Sequence, residues 1–128
     1  MKAKKIVTFV LITFLLSFSQ EVFSQNWKVW FKENGVEFSL RYVQPVKKTD
    51  NPYYHLKVAN MSGKYKTIYF YPVFMHDGKI TGTATKRNFF LKPSATYKEK
   101  FYVTQQAIIQ AGNHVPSMSL KEYSVKEY

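Results

Sequence analysis

Few residues in this 128-residue chain could carry out chemistry. Cysteine is absent, which excludes thiol nucleophiles and thiolate metal sites. The three histidines are His55, His76 and His114. None of them has other histidines and carboxylates at the spacing that is typical of a metal site. His76 precedes Asp77 and Gly78, where an aspartate more commonly initiates a turn than binds a metal. We therefore predict no metal ligands.

Other catalytic patterns are also missing from the sequence. The acidic residues are few and scattered, whereas a glycosidase needs two carboxylates brought together in a cleft. No serine lies in a nucleophile elbow, and no glycine-rich phosphate loop occurs. We therefore expect a protein that is not an enzyme and that has no catalytic residue and no cofactor. An enzyme would need His55 or His76 to meet a carboxylate in a pocket.

Binding is the more open possibility, and it centres on the stretch IYFYPVFMHDGKI at residues 68–80. The period of two in a strand places Tyr69, Tyr71 and Val73 on the face opposite Ile68. A solvated face does not need three such side chains in a row. Either a loop or residues 107–109 cover this second face, which we favour, or an exposed aromatic stripe binds sugar rings or a partner.

Trp30 poses the same choice, because it has the opposite parity to Trp27 and Phe31 in its strand. Pro72 cannot donate a hydrogen bond to a neighbouring strand, so we expect its strand to lie at a sheet edge. An edge strand with an aromatic face is a plausible docking place for another chain. The candidate binding surface consists of four residues: Tyr69, Tyr71, Val73 and Trp30.

Residues 1–24 have the features of a cleaved bacterial signal peptide. Three lysines precede an apolar run over residues 6–18, and Ser24 supplies the small residue before the cut. The apolar run is shorter than the ~20 residues that a transmembrane helix needs. We expect residues 25–128 to form a single exported domain in the periplasm or at the cell surface, with no transmembrane segment after cleavage.

Alternation with a period of two covers most of the expected domain. In residues 36–43, apolar and polar side chains alternate strictly, and Asn34-Gly35 before them is a strong hairpin signal. Residues 105–118 could form a helical turn or a long loop. A change of parity near Lys121 and Glu122 predicts a β-bulge. The predicted strands are residues 27–31, 36–43, 53–60, 66–75, 88–91, 96–103 and 119–125, with a weaker one at 80–85. About seven short antiparallel strands favour an all-β sandwich.

Two stretches resemble known β-sandwich families. LKPSATY, Leu91 to Tyr97, resembles the loop between the fifth and sixth strands of fibronectin type III domains. The resemblance implies a corner in which the Tyr97 hydroxyl bonds to backbone near Leu91–Pro93. HLKVANMSGKY, residues 55–65, is similar to a pattern in small exported bacterial Ig-like domains, and it implies that the Asn60 side chain bonds to its own turn. Both imply an Ig-like or fibronectin-III-like sandwich.

The chain is strongly basic, with a formal net charge of +11 and a pI near 9.8. All its basic residues except Arg41 and Arg87 are lysines. This excess favours anionic partners, although we prefer the simpler explanation that it provides solubility and protects strand edges. The segment KYKTIYFY has the composition of a nucleic-acid-binding surface, but the export signal argues against nucleic acid as the partner.

We therefore expect an exported, non-catalytic interaction or accessory module of the cell envelope. Its partner would be an unknown envelope protein or an anionic glycan or glycolipid. The alternative is a carbohydrate- or glycolipid-binding module that uses the aromatic stripe.

Export is expected to release a protein that begins at Gln25. Because signal peptidase requires a small residue before the cut, Ser24→Tyr should leave the precursor uncleaved. Intact-mass spectrometry of the exported protein measures the position of the cut. Ser19→Tyr, five residues upstream, serves as a control that should be processed normally. A product that begins at another residue would contradict the prediction.

Overall fold

The computed structural model describes residues 26–47 and 50–128, and the predicted signal peptide lies outside the described residues. The described chain forms eight strands and one short helix. In chain order these are β1 Lys28–Glu33, β2 Val36–Val43, β3 Tyr53–Asn60, β4 Lys66–His76, β5 Lys79–Thr83, β6 Arg87–Leu91, β7 Thr96–Tyr102, α1 Gln105–Gln110 and β8 Ser117–Glu127.

The strands form two four-stranded antiparallel sheets. Sheet one has the order β1-β2-β3-β7. In sheet two, β4 pairs with β8 along its length on one side, while β6 and β5 pair with the two halves of its other side. The predicted all-β antiparallel sandwich is therefore confirmed.

The core lies between the two sheets. In β3 the buried positions alternate strictly with less buried ones, as the sequence pattern predicted, and β4 alternates in the same way from Lys66 to Tyr71. Phe38 of sheet one meets Phe70 of sheet two edge to face, with ring centroids 6.3 Å apart. The largest fully buried side chains are Tyr54, Phe38, Phe70, Leu40, Leu56, Ile68, Met118 and Leu120. Burying each such side chain contributes about 1.5–3 kcal/mol, which matters in a chain without disulfides.

The β1–β2 hairpin turns at Asn34 and Gly35, with φ values of 50° and 82°. Positive φ at both central residues is the requirement of a type I′ turn, so the predicted hairpin is confirmed. The Asn34 side chain also reaches sheet two, since its Nδ2 donates to the Val125 carbonyl at 3.1 Å. Its Oδ1 accepts from the Nζ of the buried Lys66 at 3.2 Å. The turn therefore connects the two sheets at this end of the sandwich.

The expectation that Pro72 marks a sheet edge is wrong, because β4 is the central strand of sheet two. Pro72 lies between the segments of β4 that pair with β6 and with β5, and a register shift relative to β8 begins there. At such a break no ladder hydrogen bond is lost to the missing N–H. The shift leaves Lys121 as the extra residue on β8, which confirms the predicted bulge.

The segment whose structure the sequence left open contains α1. Thr104 caps it, with its side chain accepting from the Ala107 backbone N–H at 3.1 Å. Ala107 belongs to the core cluster and packs closely on β5, where a Cβ added at Gly82 would lie 3.2 Å from the Ala107 Cβ. No helix in the described part of the chain is long and apolar enough to cross a membrane.

A buried amide strengthens the same end of the sandwich, beside the β1–β2 turn, where the Gly35 carbonyl accepts from the Met61 backbone N–H at 2.9 Å. Asn60 is 1% exposed, and its Nδ2 donates to the carbonyls of Lys64 and Leu91 at 2.8 and 2.9 Å. Its Oδ1 accepts from the backbone N–H and the hydroxyl of Ser62 at 3.0 and 2.7 Å. The Asn60 backbone also pairs with Ser94 and Ala95 in the β6–β7 connection. The side chain thus bonds to its own turn, as expected, and in addition to sheet two.

The tyrosine corner predicted at Tyr97 does not form. The Tyr97 hydroxyl donates to Glu99 instead of bonding to backbone near Leu91–Pro93. Glu99 lies two residues along on the same face of β7, and it also accepts from the Arg87 Nε at 2.8 Å. The Glu99 carboxylate therefore accepts the hydrogen bond of the Tyr97 hydroxyl, while the Leu91 carbonyl accepts from the Asn60 side chain. The Arg87–Glu99 ion pair links β6 to β7 across the open side of the sandwich.

Replacing Asn60 with alanine is expected to destabilise the fold by about 3 kcal/mol. The substitution leaves two backbone carbonyls without their donor, and each buried unsatisfied group costs ~1–3 kcal/mol. Chemical denaturation measures the free energy of unfolding. Asn88→Ala, at an exposed asparagine of β6, is the control and should change stability by less than ~0.5 kcal/mol. Equal effects of the two substitutions would show that the buried amide is unimportant.

Candidate binding surface

Tyr69 and Tyr71 lie half-buried on the outer face of sheet two. The Tyr69 hydroxyl donates to Glu122 at 2.6 Å. Desolvation, and then this hydrogen bond, raise the pKa of Tyr69 to about 12. The ring of Tyr71 lies beneath two ammonium groups, with the Nζ of Lys86 at 5.2 Å and that of Lys121 at 5.5 Å. Both tyrosines are thus already engaged by charged side chains.

Trp30 and Val73 are buried, with exposures of 7% and 2%. The parity expected for Trp30 is wrong because a register shift between Val29 and Phe31 forms a bulge at Trp30. The bulge turns the indole into the core, where its ring meets the Phe31 ring edge to face with the ring centroids 5.5 Å apart. The four residues of the candidate surface therefore do not form one continuous exposed patch.

The segment favoured to cover the outer face of β4 packs elsewhere. Ala107 of α1 lies beside Phe74, on the core side of sheet two. The helix therefore does not cover the face that carries Tyr69 and Tyr71.

The outer face of sheet one carries a surface that the sequence reasoning missed. The strands β2, β3 and β7 pair without any register shift, so their outward side chains form straight rows across the sheet. One row is Arg41, His55 and Lys100, and the next includes Lys57 and Lys98. We call this surface the basic face; it consists of Arg41, His55, Lys57, Lys98 and Lys100 with the aromatic residues Trp27, Tyr53 and Tyr102.

The indole of Trp27 lies at the centre of the basic face. The guanidinium carbon of Arg41 is 4.9 Å from its ring centroid, and the Nζ of Lys57 is 4.6 Å away. The His55 ring lies 4.7 Å from the indole, tilted by 47°. Cation–π attraction holds the two charged side chains in place without neutralising them. Trp27 reaches this face because the bulge at Trp30 reverses the parity of β1.

Two tyrosines form a third row, on the side of the His55 and Lys100 row that lies away from Lys57 and Lys98. Tyr53 and Tyr102 are cross-strand partners whose ring centroids lie 5.1 Å apart. The Nζ of Lys100 lies 5.1 Å from the Tyr53 ring centroid. Tyr102 is 53% exposed and stands on the edge strand β7. The basic face therefore combines fixed cations with an accessible aromatic ring.

The surroundings of His55 favour its neutral form. Its Nδ1 accepts from Arg41, whose Nε and Nη2 lie 3.3 and 3.2 Å away. Burial lowers the pKa of His55 below its ordinary value of 6.5, and the charges of Arg41, Lys100, Lys98 and Lys57 lower it further. All the charges that shift this histidine are positive, so the local potential of the face is positive as well.

The lysines of the basic face have no compensating acids. In residues 26–47 and 50–128, no carboxylate lies within 4.0 Å of the Nζ of Lys57, Lys98 or Lys100. Lys57 and Lys98 are direct cross-strand partners, an arrangement of like charges that destabilises a sheet. Lys57 and Lys98 thus form an electrostatically unfavourable pair at this place.

The sequence did contain a signal for this surface. Arg41, His55 and Lys57 occupy the outward positions of two predicted strands, and Lys98 and Lys100 those of a third. Their parity was visible, but the order of the strands was not. Only the adjacency of β2, β3 and β7 brings these cations together.

The histidines at the end of sheet two also approach each other. The rings of His76 and His114 stack with centroids 5.1 Å apart, and the His76 Nε2 lies 3.5 Å from Asp77. Within the described ranges, no three histidine, cysteine, aspartate or glutamate side chains are arranged to hold a metal ion.

No protein-family model matches this chain, and no curated protein matches it either. We therefore infer the function from the chemistry of the basic face.

The pKa of His55 is expected to lie below 6.5 and to rise when Trp27 is replaced by alanine. The substitution removes a ring that desolvates the imidazole. NMR titration of the imidazole signals measures the pKa, and Phe90→Ala, at an exposed ring on the other sheet, should leave it unchanged. Because the folded pKa is lowered, the stability linked to His55 is complete above 6.5 and is lost as the pH falls through the folded pKa. A wild-type pKa at or above 6.5 would contradict the expectation.

Proposed function

We propose that this chain is an exported, non-catalytic module of the bacterial cell envelope that binds an anionic partner through the basic face. The observation that supports the proposal best is the set of four cations around His55. Within the described residues, the three lysines among them, Lys57, Lys98 and Lys100, form no ion pair with a carboxylate. An anion placed above His55 would relieve the repulsion between these charges. The predicted signal peptide supports a location in the periplasm or at the cell surface.

The arrangement of the lysines favours binding over mere solubility. Lysines that only protect against aggregation can be spread over a surface and need no fixed positions. Here three ring contacts hold Arg41, Lys57 and Lys100 in defined places. Proteins commonly break local stability rules at functional sites, and the Lys57–Lys98 pair is such a case.

The topology supports an Ig-like domain as the finer description of the fold. The order β2-β3-β7 opposite the pair β4-β8 corresponds to strands A, B and E opposite strands C and F of Ig-like sandwiches. Strand β1 is then an additional strand beside the first of these. Ig-like sandwiches host many functions, so the fold alone does not determine this one.

A carbohydrate-binding role for the outer face of sheet two is the second candidate. Tyr69 and Tyr71 are half-buried there, and the exposed ring of Phe90 contacts the exposed Tyr128 with centroids 4.4 Å apart. These aromatic rings favour a ligand with apolar faces. Trp30 and Val73 cannot contribute to this surface while they are buried.

Binding to a polyanion tests the proposed function. The exported protein is applied to immobilised dextran sulfate and eluted with increasing salt. The triple variant Lys57→Gln, Lys98→Gln and Lys100→Gln should elute at a clearly lower salt concentration than the wild type. Each lost charge weakens the electrostatic attraction, so less salt is needed to screen it. The matched control replaces three exposed lysines elsewhere: Lys47, Lys79 and Lys92.

The two triple variants have the same net charge, so they separate a specific site from general attraction. If both elute together, the basic face is not the binding site and the proposal fails. Tyr71→Ala tests the second candidate in the same assay with neutral glycans. A loss of neutral-glycan binding in Tyr71→Ala alone would favour sheet two.

A further inference from the structure

We infer that the ligand of the basic face is an acidic saccharide chain, with several anionic groups above the cation rows and one sugar ring against Tyr102. This inference rests on the proposed function and identifies the chemical class of the partner. It depends on two independent features of the face: the regular spacing of its cations and the exposed aromatic ring beside them.

The spacing of the cations suits a ligand with repeated charges. Because β2, β3 and β7 pair without a register shift, outward side chains recur about 7 Å apart along a strand and about 4.8 Å apart between strands. Lys57 and Lys98 form one row, and Lys100 lies in the next. Because the three lysines are spread over two rows, a long ligand contacts more of them than a single small anion does. A chain with anionic groups on successive units can meet several of them at once.

The tyrosines supply what charge alone does not. Tyr102 is 53% exposed, and its contact with Tyr53 limits the orientations of its ring. Tyrosine offers a rigid apolar face at a low cost in conformational entropy, together with a hydroxyl that can bond to sugar hydroxyls. Lys100 connects the tyrosines to the cation rows, because its ammonium group lies over the Tyr53 ring and its side chain belongs to one of the rows. An acidic sugar unit presents both an apolar ring face and an anion.

Two other polyanionic partners fit the face less well. Insertion into a bilayer requires apolar side chains that project together, but the strongly exposed Val29 and Tyr102 stand on opposite edge strands of sheet one. Nucleic acid has the required charge and stacking bases, but the predicted signal peptide directs the chain away from it. Both partners are outcomes that the experiment can reveal.

The experiment measures the affinity of the exported protein for five probes at physiological salt. The probes are a polygalacturonate oligomer, dextran sulfate, inorganic polyphosphate, a single-stranded oligonucleotide and vesicles containing phosphatidylglycerol. Three proteins are compared with the wild type: the Lys57→Gln/Lys98→Gln double variant, Tyr102→Ala, and Tyr65→Ala as the control at a similarly exposed tyrosine outside the face.

The expected result is that the saccharides bind most tightly and that Tyr102→Ala lowers their affinity by about tenfold, which corresponds to about 1.4 kcal/mol. Tyr102→Ala should leave polyphosphate binding unchanged, because polyphosphate has no ring to stack. The double lysine variant should weaken the binding of both kinds of probe. Tyr65→Ala should change neither.

The other outcomes separate the inference from the proposed function. If the lysine variant weakens binding but Tyr102→Ala does not, the face binds polyanions by charge alone, and only the saccharide inference is overturned. Tighter binding of the oligonucleotide or the vesicles than of both saccharides overturns it as well. If the lysine variant binds every probe like the wild type, the proposed function fails together with the inference.

Discussion

The buried amide of Asn60 is the interaction on which the closure of this sandwich depends. It satisfies carbonyl groups from the β3–β4 turn and from the end of β6, while its backbone pairs with the β6–β7 connection. A chain without disulfides must join its sheets by packing, hydrogen bonds and ion pairs. Since Asn60 is 1% exposed, water cannot replace these bonds. At the same end of the sandwich, Asn34 has a similar role, because it connects the β1–β2 turn to Val125 and Lys66.

Regular pairing in one part of the fold and irregular pairing in another explain where the candidate site lies. Sheet two has register shifts at Pro72 and near Phe74, and β1 has one at Trp30. The strands β2, β3 and β7 have none, so their outward side chains form straight rows. The bulge at Trp30 contributes indirectly, because it directs Trp27 onto this regular surface. The basic face thus combines a flat arrangement of cations with a ring delivered by an irregular edge strand.

Alternation of apolar side chains was sufficient to predict most of the strands, the Asn34-Gly35 hairpin and the bulge at Lys121. It failed where a tertiary contact overrode a local rule. Pro72 appeared to require a sheet edge, but a break between two partner strands accommodates the missing donor equally well. Tyr97 matched a known corner pattern, but Glu99 offered a nearer acceptor. Regular alternation places Trp30 on the face opposite Phe31, but a bulge turns it into the core. A bulge inside a short strand leaves no trace in the composition of that strand.

The sequence by itself determined the fold class and the local turns, because period-two patterning and positive-φ residues act over a few neighbouring positions. It also determined which lysines point outward, since parity within a strand is a local property. Only the tertiary structure decided which of them meet, because Lys57 and Lys98 are far apart in the chain and become neighbours through the pairing of β3 with β7. A binding surface on a sheet is a property of strand order, and strand order is fixed by long-range packing that no single segment encodes.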